Sequence, residues 1–572
     1  MMEESIFRTV NNFNYQRWVK EFDTLKGSEL EFIDQKIKAL TIHPNIGILP
    51  ISIPGAANRN WLKGSLDKQI YRNWHILSSN SFGVRDLPAA GTEFVLPPDL
   101  IAKLTKSAAF ILPLPLNAIL RRHALAQFIL ALAEVPDADI LYADEDILQN
   151  GKRSGPRFKT DWDPYLILGR NYIGIPTLYR SEAILRVNPA ELRSRNIDNL
   201  LYALTLRVCA ATAPDKIVHI PSILCHRTEE PDWNGAEARK VVLAHLAEQR
   251  FQGVEISPAF LTPKWNRVRF PLPDPPPLVS IIVPTRDRPE LIGPCVDGIL
   301  NHTDYPALEV IVVDNGTTSP EALAILNSLR NDRRARVLRD DRPFNYSQLN
   351  NFGATLANGK ILVLLNNDIQ ILHADWLTEL ASLASRPDIG AVGAKLLYPD
   401  FRVQHAGVSF GPNKTVLHQM RFAQRHETGP TGELALLRCT SAVTGACLAL
   451  RKNLYFEVGG LNENRLRVAY NDVDLCRRIA RKGLVIVWTP FAELLHHESV
   501  SRGLTVKLTD VDREATESMA FWSMNPEFYE HPDPFHNPQI EFQVEYVDFA
   551  RPPRPHRFRL EFTERQPMLF HY

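Results

Sequence analysis

The 572-residue chain has few cysteines, no net charge and no long apolar run. Its six cysteines include no closely spaced Cys-x-x-Cys pair, so we expect small core residues rather than zinc ligands or disulfides. Basic and acidic residues number 65 each, which removes the main sequence argument for a nucleic-acid-binding protein. No uninterrupted apolar stretch reaches about 18 residues, so no membrane-spanning helix is predicted.

Two short signatures are also missing from the sequence. The opening, MMEESIFRTV, does not have the charged-then-apolar pattern of a signal peptide, and we therefore expect a cytoplasmic protein. After the first predicted strand of the second half the chain reads TRDRP instead of Gly-x-Gly-x-x-Gly. That difference excludes a dinucleotide-binding dehydrogenase.

Three apolar runs in the second half each end in polar residues. The runs LVSIIVP, LEVIVVD and KILVLL predict buried strands. They lead into Thr285, Asp314 and the triplet Asn366-Asn367-Asp368. Ligands and chemistry collect at the carboxyl ends of parallel strands in an open α/β sheet, so we expect a functional site at these strand ends.

The proline cluster PLPDPPP at 271–277 predicts a boundary between two halves of similar size. A chain of this length exceeds what one hydrophobic core usually organises. We predict an α/β protein with a helical extension (1–40), a first domain (41–263), a proline-rich linker (264–277), a second domain (278–509) and a C-terminal extension packed on the second domain (510–572).

Seven segments of the second half carry a family resemblance: SIIVPTRDR, VIVVDNGT, FNYSQLNNFGATLANGKILVLLNND, VTGACLALRK, GGLNEN, YNDVDLCRR and HHESVSRG. In this order and spacing the chain resembles the family 2 glycosyltransferases of the GT-A fold, and in particular bacterial enzymes of polysaccharide and O-antigen assembly. The resemblance implies a Rossmann-like nucleotide-diphospho-sugar transferase domain. The first half resembles a second, diverged copy, so two tandem GT-A domains are expected.

The resemblance implies a pocket for the donor, a UDP- or dTDP-sugar, at the first two strand ends. Asp314 would accept hydrogen bonds from the pyrimidine base. The other residues expected to contact the nucleotide are Pro284, Thr285, Arg286, Asn351 and Asn367.

A divalent cation, Mn²⁺ or Mg²⁺, is the implied cofactor. Asp368 takes the last position of the family's metal-binding acidic triplet, where the cation bridges the donor diphosphate. Asn366 replaces the first acid and still offers a carbonyl oxygen. His496 would complete the metal shell or contact the diphosphate, and we expect His497 and Arg502 on the phosphate side.

Inverting transfer requires a base that takes the proton of the acceptor hydroxyl. Asp472 matches the second letter of the family's Glu-Asp pair and is the predicted base, with Asp474 as the next choice. Both precede a helical segment, so either acid also has the simpler role of complementing the helix dipole. Thr444 and Gly445 resemble the acceptor-side loop, where glycine lets the backbone approach a sugar closely.

The first half lacks the acids that the resemblance requires. Where the family has its metal triplet the chain reads LPLNA at 114–118, and where it has its catalytic acids the chain reads LYA at 201–203. The acidic run Asp144-Glu145-Asp146 follows the metal strand in this resemblance, and we expect it to form a solvated face. The first domain is therefore predicted to be a degenerate transferase that serves as scaffold, acceptor clamp or partner surface.

Sequence reasoning leaves three functional hypotheses. The first is an inverting transferase that extends a cell-surface polysaccharide or lipid-linked glycan, and such an acceptor would bring it to the inner face of the membrane. The second is a noncatalytic sugar-nucleotide or glycan-binding scaffold, because both acidic motifs begin with asparagine. The third has two active halves, and it predicts residual activity after Asp368→Ala.

Overall fold

A computed structural model describes residues 14–51, 61–77, 94–95, 105–187, 193–194, 197–230, 235–412, 414–429, 431–497, 508–526, 533–541 and 548–560. Within these ranges each half of the chain forms one large mixed α/β sheet. The expected α/β class is confirmed. Comparison of the two sheets locates the candidate site.

The first half contains twelve described strands: β1 (Ile46–Ile51), β2 (Trp74–Ile76), β3 (Phe94–Val95), β4 (Phe110–Pro115), β5 (Ile119–Leu120), β6 (Ile140–Gln149), β7 (Lys152–Arg157), β8 (Thr177–Arg180), β9 (Arg193–Ser194), β10 (Ile217–Arg227), β11 (Glu255–Pro258) and β12 (Asn266–Arg269). Its α-helices are α1 (Gly27–Lys38), α2 (Trp61–Leu66), α3 (Ala124–Glu134), α4 (Leu166–Gly169), α5 (Ser181–Leu185), α6 (Ile197–Ala210) and α7 (Gly235–Glu248).

The second half continues with β13 (Val279–Thr285), β14 (Leu308–Asp314), β15 (Ala335–Arg339), β16 (Ile361–Leu365), β17 (Ile369–Ile371), β18 (Ile389–Leu397), β19 (Val403–His405), β20 (Val408–Gly411), β21 (Thr415–His418), β22 (Arg438–Cys439), β23 (Cys447–Arg451) and β24 (Val485–His496). Its helices are α8 (Pro289–Asn301), α9 (Pro320–Leu329), α10 (Tyr346–Leu356), α11 (Trp376–Ala384), α12 (Lys452–Glu457), α13 (Asn471–Ala480) and α14 (Leu508–Met524).

The two large sheets share one topology. The sheet of the first half has the order β2-β1-β4-β8-β6-β10-β5, with β7 beside β6. The sheet of the second half has the order β15-β14-β13-β16-β23-β18-β24-β17, with β19 beside β18. After β15, the second order repeats the first strand for strand, and corresponding neighbours run in the same relative directions. The chain therefore contains two tandem copies of one α/β unit.

Apolar sequence explains the centre of the second sheet. Strands β13, β14 and β16 are buried along their whole length, as expected for parallel strands covered by helices on both faces. Helix α8 begins with Pro289 at its first turn, and the side chain of Asn345 caps α10 by accepting from the Gln348 amide. All six cysteines are buried and reduced, which confirms their expected place in the core.

The halves pack against each other and against the C-terminal segment. One apolar cluster contains residues of both sheets, and the Asp163 carboxylate accepts a hydrogen bond of 2.8 Å from the Cys439 amide. Part of the expected linker differs from the prediction: 266–269 is β12, paired with β11 because alternating polar residues suit a two-stranded ribbon. The other domain boundaries stay predictions.

The C-terminal extension contacts both halves, where packing on the second domain alone was expected. Phe521 and Trp522 of α14 enter the apolar core of the second half. Farther along, the Asn537 amide donates to Asp144 of the first half at 3.0 Å. No helix among the described residues is long and apolar enough to cross a membrane.

Candidate active site

Three of the residues predicted to bind nucleotide meet at the carboxyl ends of β13 and β14. Thr285 and Asp314 are partners in the parallel register of these strands. The Asn367 amide donates to Thr285 Oγ1 at 3.0 Å, so the loop after β16 reaches the same edge. Pro284 precedes Thr285 within β13, and Arg286 follows it with an exposed side chain.

Arg339, a residue that sequence reasoning missed, neighbours Asp314. Its Nη1 donates to Asp314 Oδ2 at 2.8 Å, while Asp314 Oδ1 accepts from the Thr317 amide at 2.8 Å. Arg339 ends β15, the strand next to β14, so the rule that directed attention to Asp314 also applies to it. The edge of the sheet predicted to contact the nucleotide base thus has a paired carboxylate and guanidinium.

The register of two antiparallel strands brings the predicted metal residues together. Ile369 of β17 pairs with His496 of β24, which places His496 beside the preceding residue, Asp368. His496 Nε2 lies 3.1 Å from Asp368 Oδ1 and 3.3 Å from Asn366 Nδ2. A carboxylate, an imidazole and a carboxamide form a donor set that fits a divalent transition-metal cation such as Mn²⁺.

Gln404 of β19 orients this histidine and was also missed from the sequence. Its Oε1 lies 2.6 Å from His496 Nδ1, a contact that suits donation by Nδ1 and would leave Nε2 to bind a cation held beside Asp368. The neighbouring His497 has a different environment, because its ring contacts Gln370 at 3.3 Å. Arg502 lies outside the described residues.

Asp472 and Asp474, at the start of α13, have different surroundings. Asp472 is partly exposed, and its Oδ2 accepts from the Gly445 amide at 2.7 Å. Asp474 is buried, and Arg478 donates to its Oδ2 through Nε at 2.9 Å, with Nη2 at an ion-pair distance of 2.8 Å. Asp474 therefore forms a structural ion pair with Arg478, and this pairing disfavours Asp474 as the base.

The loop predicted to face the acceptor lies directly against Asp472. A Cβ atom built on Gly445 would stand 3.4 Å from Asp472 Cβ and 3.5 Å from the Tyr346 hydroxyl. The preceding Thr444 accepts from the Ala446 amide through Oγ1 at 3.3 Å. The two distances at Gly445 are ordinary van der Waals distances, and the expected close approach of Gly445 to an acceptor sugar stays a prediction.

Asn351 needs a correction. Its Nδ2 donates to Leu461 O at 2.9 Å and to Glu463 Oε2 at 2.8 Å, while its Oδ1 accepts from the Tyr455 hydroxyl and the Leu461 amide. These bonds use both ends of the carboxamide to hold the loop before α13. A structural role replaces the expected nucleotide contact.

Tyr346 connects the metal triplet with the acceptor-side loop. Its hydroxyl lies 3.1 Å from Asn366 Oδ1 and 2.9 Å from Gly445 O. Burial, together with the nearby Asp472 carboxylate, raises the pKa of Tyr346 well above its usual range, so the phenol keeps its proton. Tyr346 belongs to the NYSQLNN segment, in which sequence reasoning assigned a role only to Asn351.

The first half has no acid at the position that corresponds to Asp368. Ile119 of β5 pairs with His226 of β10, as Ile369 pairs with His496. The residue before Ile119 is Ala118, which is fully buried. The predicted loss of the metal acid therefore agrees with the strand register.

The expectation of a solvated acidic face at 144–146 is wrong. Asp144, Glu145 and Asp146 lie in β6 and are 0%, 2% and 1% exposed. Cationic side chains neutralise them: His219 pairs with Asp144, Arg227 with Glu145 and Arg153 with Asp146, which His226 also contacts. Burial raises the pKa of Glu145, but Arg227, Lys159 and Arg157 outweigh it and lower the value to about 2.

With this geometry established, the sequence comparison identifies the second half. Residues 280–443 match the family model of glycosyl transferase family 2. The second half contains a family 2 glycosyltransferase domain. The matched range includes Thr285, Asp314 and the 366–368 triplet, whereas Asp472 and His496 of the candidate site lie beyond it.

Two relatives match most of the chain. An uncharacterized protein, y4gI, of Sinorhizobium fredii is 35% identical over 450 residues, covering 76% of this chain and 49% of that protein. The O-antigen biosynthesis protein RfbC of Myxococcus xanthus is 36% identical over 443 residues, covering 75% and 34% respectively. The chain thus spans about half, or less, of the length of these relatives.

Solved glycosyltransferase structures show weaker similarity. GalNAc-T7 with UDP, GalNAc and Mn²⁺ is 14% identical, with a TM-score of 0.34 over 45% of this chain and 52% of that one. A mannosyltransferase from Pyrobaculum calidifontis, in complex with GDP-mannose and Mn²⁺, is 17% identical, with a TM-score of 0.31 over 50% and 83%.

Proposed function

We propose that the second half is an inverting, metal-dependent transferase that moves a sugar from a UDP- or dTDP-sugar to a hydroxyl of a growing cell-surface polysaccharide or lipid-linked glycan. The observation that carries the proposal is the meeting of Asp368 and His496, with Asp472 linked to the same cluster through Gly445 and Tyr346. The relative RfbC is named as an O-antigen biosynthesis protein, which supports the acceptor class.

The donor nucleotide would lie along the ends of β13, β14 and β15. Thr285, Asp314 and Arg339 offer a hydroxyl, a carboxylate and a guanidinium there, and Asn367 extends the surface toward the triplet. Pyrimidine edges present both donors and acceptors, which suits a paired acid and arginine. A purine nucleotide is the control for this assignment.

Asn366, Asp368 and His496 would hold the divalent cation. When bound, such a cation neutralises the charge that develops on the departing diphosphate. Asp472 would take the proton of the acceptor hydroxyl during attack from the opposite face, and the Gly445 amide holds this carboxylate in place. The single carboxylate suffices for inversion, because no covalent intermediate is required.

The first half would act as a scaffold without transfer of its own. Ala118 stands where a metal acid is needed, and the acids of β6 are occupied by internal cations. A lipid-linked acceptor would bring the enzyme to the inner face of the cytoplasmic membrane. A noncatalytic sugar-nucleotide-binding scaffold is the second candidate, favoured by the asparagines at 366 and 471.

Calorimetric titration of the full chain with UDP, dTDP and GDP, each with and without Mn²⁺, tests the proposal. We expect one pyrimidine diphosphate to bind with Mn²⁺, and Asp368→Ala to weaken that binding by at least about 100-fold because it removes a direct ligand. Asp332→Ala is the matched control, since it removes a surface carboxylate paired with Arg334 at 2.8 Å.

Turnover separates the two candidates. Release of nucleotide from a sugar-nucleotide donor in the presence of acceptor glycan supports the transferase. Cation-dependent binding without any release supports the scaffold. Absence of nucleotide binding under every condition would overturn both.

A further inference from the structure

The hydroxyl of Tyr346 faces two acceptors but has one proton. Asn366 Oδ1 lies at 3.1 Å and Gly445 O at 2.9 Å. A backbone carbonyl can only accept, whereas a carboxamide can present either its oxygen or its NH₂ group. If the phenol donates to Gly445, the second contact is satisfied only when Asn366 turns its NH₂ toward the phenol oxygen.

The other end of the Asn366 carboxamide faces the cation site. Its Nδ2 lies 3.3 Å from His496 Nε2, the nitrogen that presents a lone pair because Nδ1 donates to Gln404 at 2.6 Å. Rotation of the amide by half a turn exchanges its oxygen and nitrogen in the same space. The NH₂ group suits His496 when no cation is present, and the oxygen suits the same place when a cation is.

We propose that Tyr346 is a positioning residue that joins the cation site to the catalytic carboxylate. This inference rests on the proposed cation-dependent transferase. With a cation bound, Asn366 turns its oxygen to the cation and donates to Tyr346 Oη, and Tyr346 donates to Gly445 O. The Gly445 amide in turn donates to Asp472 Oδ2 at 2.7 Å. One hydrogen-bonded chain thus runs from the donor end of the site to the acceptor end.

The same contacts give asparagine at 366 a physical reason. A carboxylate at this position has no hydrogen to donate. It would therefore accept the hydrogen bond from the single hydroxyl proton of Tyr346, and Gly445 O would lose that bond. When no cation is present, a carboxylate would also offer no hydrogen-bond donor to His496 Nε2. The asparagine carboxamide can offer its NH₂ group to Tyr346 when a cation is bound and to His496 when it is not, which a carboxylate cannot do.

Mn²⁺ affinity of the full chain, measured by electron paramagnetic resonance in the presence of saturating UDP, tests the inference. Tyr346→Phe should raise the Mn²⁺ dissociation constant about tenfold, the usual effect of removing a group that orients a metal ligand. In an Asn366→Asp background the same change should have less than about a twofold effect, because a carboxylate needs no orientation.

Tyr455→Phe is the matched control. Tyr455 is fully buried in the same half, and its hydroxyl bonds to Asn351 outside the cation cluster. It should lower stability without changing Mn²⁺ affinity. If Tyr346→Phe does not fold, Asn366→Ala, which removes the carboxamide itself, must show the loss.

The outcomes separate the two proposals. A wild-type chain that binds no Mn²⁺ with UDP overturns the proposed function. A wild-type chain that binds Mn²⁺, with Tyr346→Phe unchanged or with equal losses in the wild-type and Asn366→Asp backgrounds, overturns the role of Tyr346 alone.

Discussion

The two halves have the same strand order but use the corresponding edge differently. In the second half, the residue before Ile369 is Asp368, and its carboxylate meets His496 at 3.1 Å. In the first half, the residue before Ile119 is the buried Ala118, although His226 occupies the position corresponding to His496. Two side-chain differences at equivalent positions, Ala118 for Asp368 and Leu116 for Asn366, thus separate a candidate metal site from a packed core, so a shared topology does not by itself specify such a site.

The placement of charge differs in the same way. The acids of the first half are buried and neutralised by internal cations, so they specify one packed arrangement. Asp472 of the second half is partly exposed and is held by a neutral backbone amide. Among the described residues, Asp472 has no cationic partner, which suits its proposed role as the base.

The largest expected effect comes from removing the proposed base. Asp472→Asn should lower kcat by about 1,000-fold, in the range for loss of general base catalysis, because an amide cannot accept the acceptor proton. Nucleotide and Mn²⁺ binding should remain within about twofold. Steady-state kinetics together with calorimetry would measure both quantities.

Asp474→Asn is the companion variant for this prediction. Asp474 is paired with Arg478, so the change should lower the free energy of unfolding by about 1–3 kcal/mol and keep kcat within about tenfold. Equal losses of kcat in the two variants would contradict the assignment of Asp472 as the base.

A second prediction addresses the first half. Asp144 accepts from His219 Nε2 at 2.9 Å, from the Lys159 amide at 2.9 Å and from Asn537 at 3.0 Å. Asp144→Asn should lower the free energy of unfolding by about 3 kcal/mol, because it removes one of the two carboxylates that pair with the buried His219 cation, the other being Asp161 at 3.0 Å. Urea unfolding measures this change.

The same variant tests the functional separation of the halves. If the first half is only a scaffold, Asp144→Asn should leave UDP and Mn²⁺ affinity unchanged at 25 °C. A loss of affinity in a folded variant would show that the first half contributes to the donor site, and the contrast drawn between the halves would fail.

Sequence reasoning predicted what local pattern determines. Apolar runs located β13, β14 and β16, and strand ends located Thr285, Asp314 and the 366–368 triplet. Contacts between distant segments were not accessible in this way. The register of β17 with β24 selects His496, and the folding of α10 against the loop before α13 assigns Asn351 to structure.

Charged residues were the hardest to interpret from sequence. Three consecutive acids usually indicate a solvated surface, but cationic side chains pair with residues 144–146. These cations come from β7, the next strand, and from β10, which is remote in sequence. Gln404 and Arg339 were missed for a similar reason, since each acquires its role from a neighbouring strand. Long-range pairing, which a single sequence does not display, determines these environments.

The smallest expected effect is a pH dependence confined to the first half. Burial lowers the pKa of His219, but Asp144 and Asp161 outweigh it and raise the value to about 9, against an ordinary value of 6.5. The folded state therefore keeps a proton that the unfolded state loses as the pH rises. The contribution of His219 to the free energy of unfolding should fall by about 1.5 kcal/mol between pH 6.5 and 8.

Other buried groups act in the opposite direction, so a His219 variant is needed to isolate the contribution of His219. Burial lowers the pKa of Lys159 to about 8, and its loss of a proton raises the free energy of unfolding mainly above that pH. Burial also lowers the pKa of five histidines, and each raises the free energy of unfolding by about 0.4 kcal/mol between pH 6.5 and 8 as the unfolded chain loses its protons: His123, His245, His405, His536 and His556.

Urea unfolding of the wild type and His219→Gln at several pH values between 6.5 and 8 would test this expectation. The variant should lack the fall contributed by His219, so its free energy of unfolding should rise relative to the wild type by about 1.5 kcal/mol over this window, whereas His426→Gln, which changes an exposed histidine, should keep the wild-type slope. Equal slopes in wild type and His219→Gln would mean that His219 is not charged beside Asp144. Asp144 would then lack a neutralising proton, and at this residue the proposed contrast with the open carboxylate of the second half would lose its electrostatic basis.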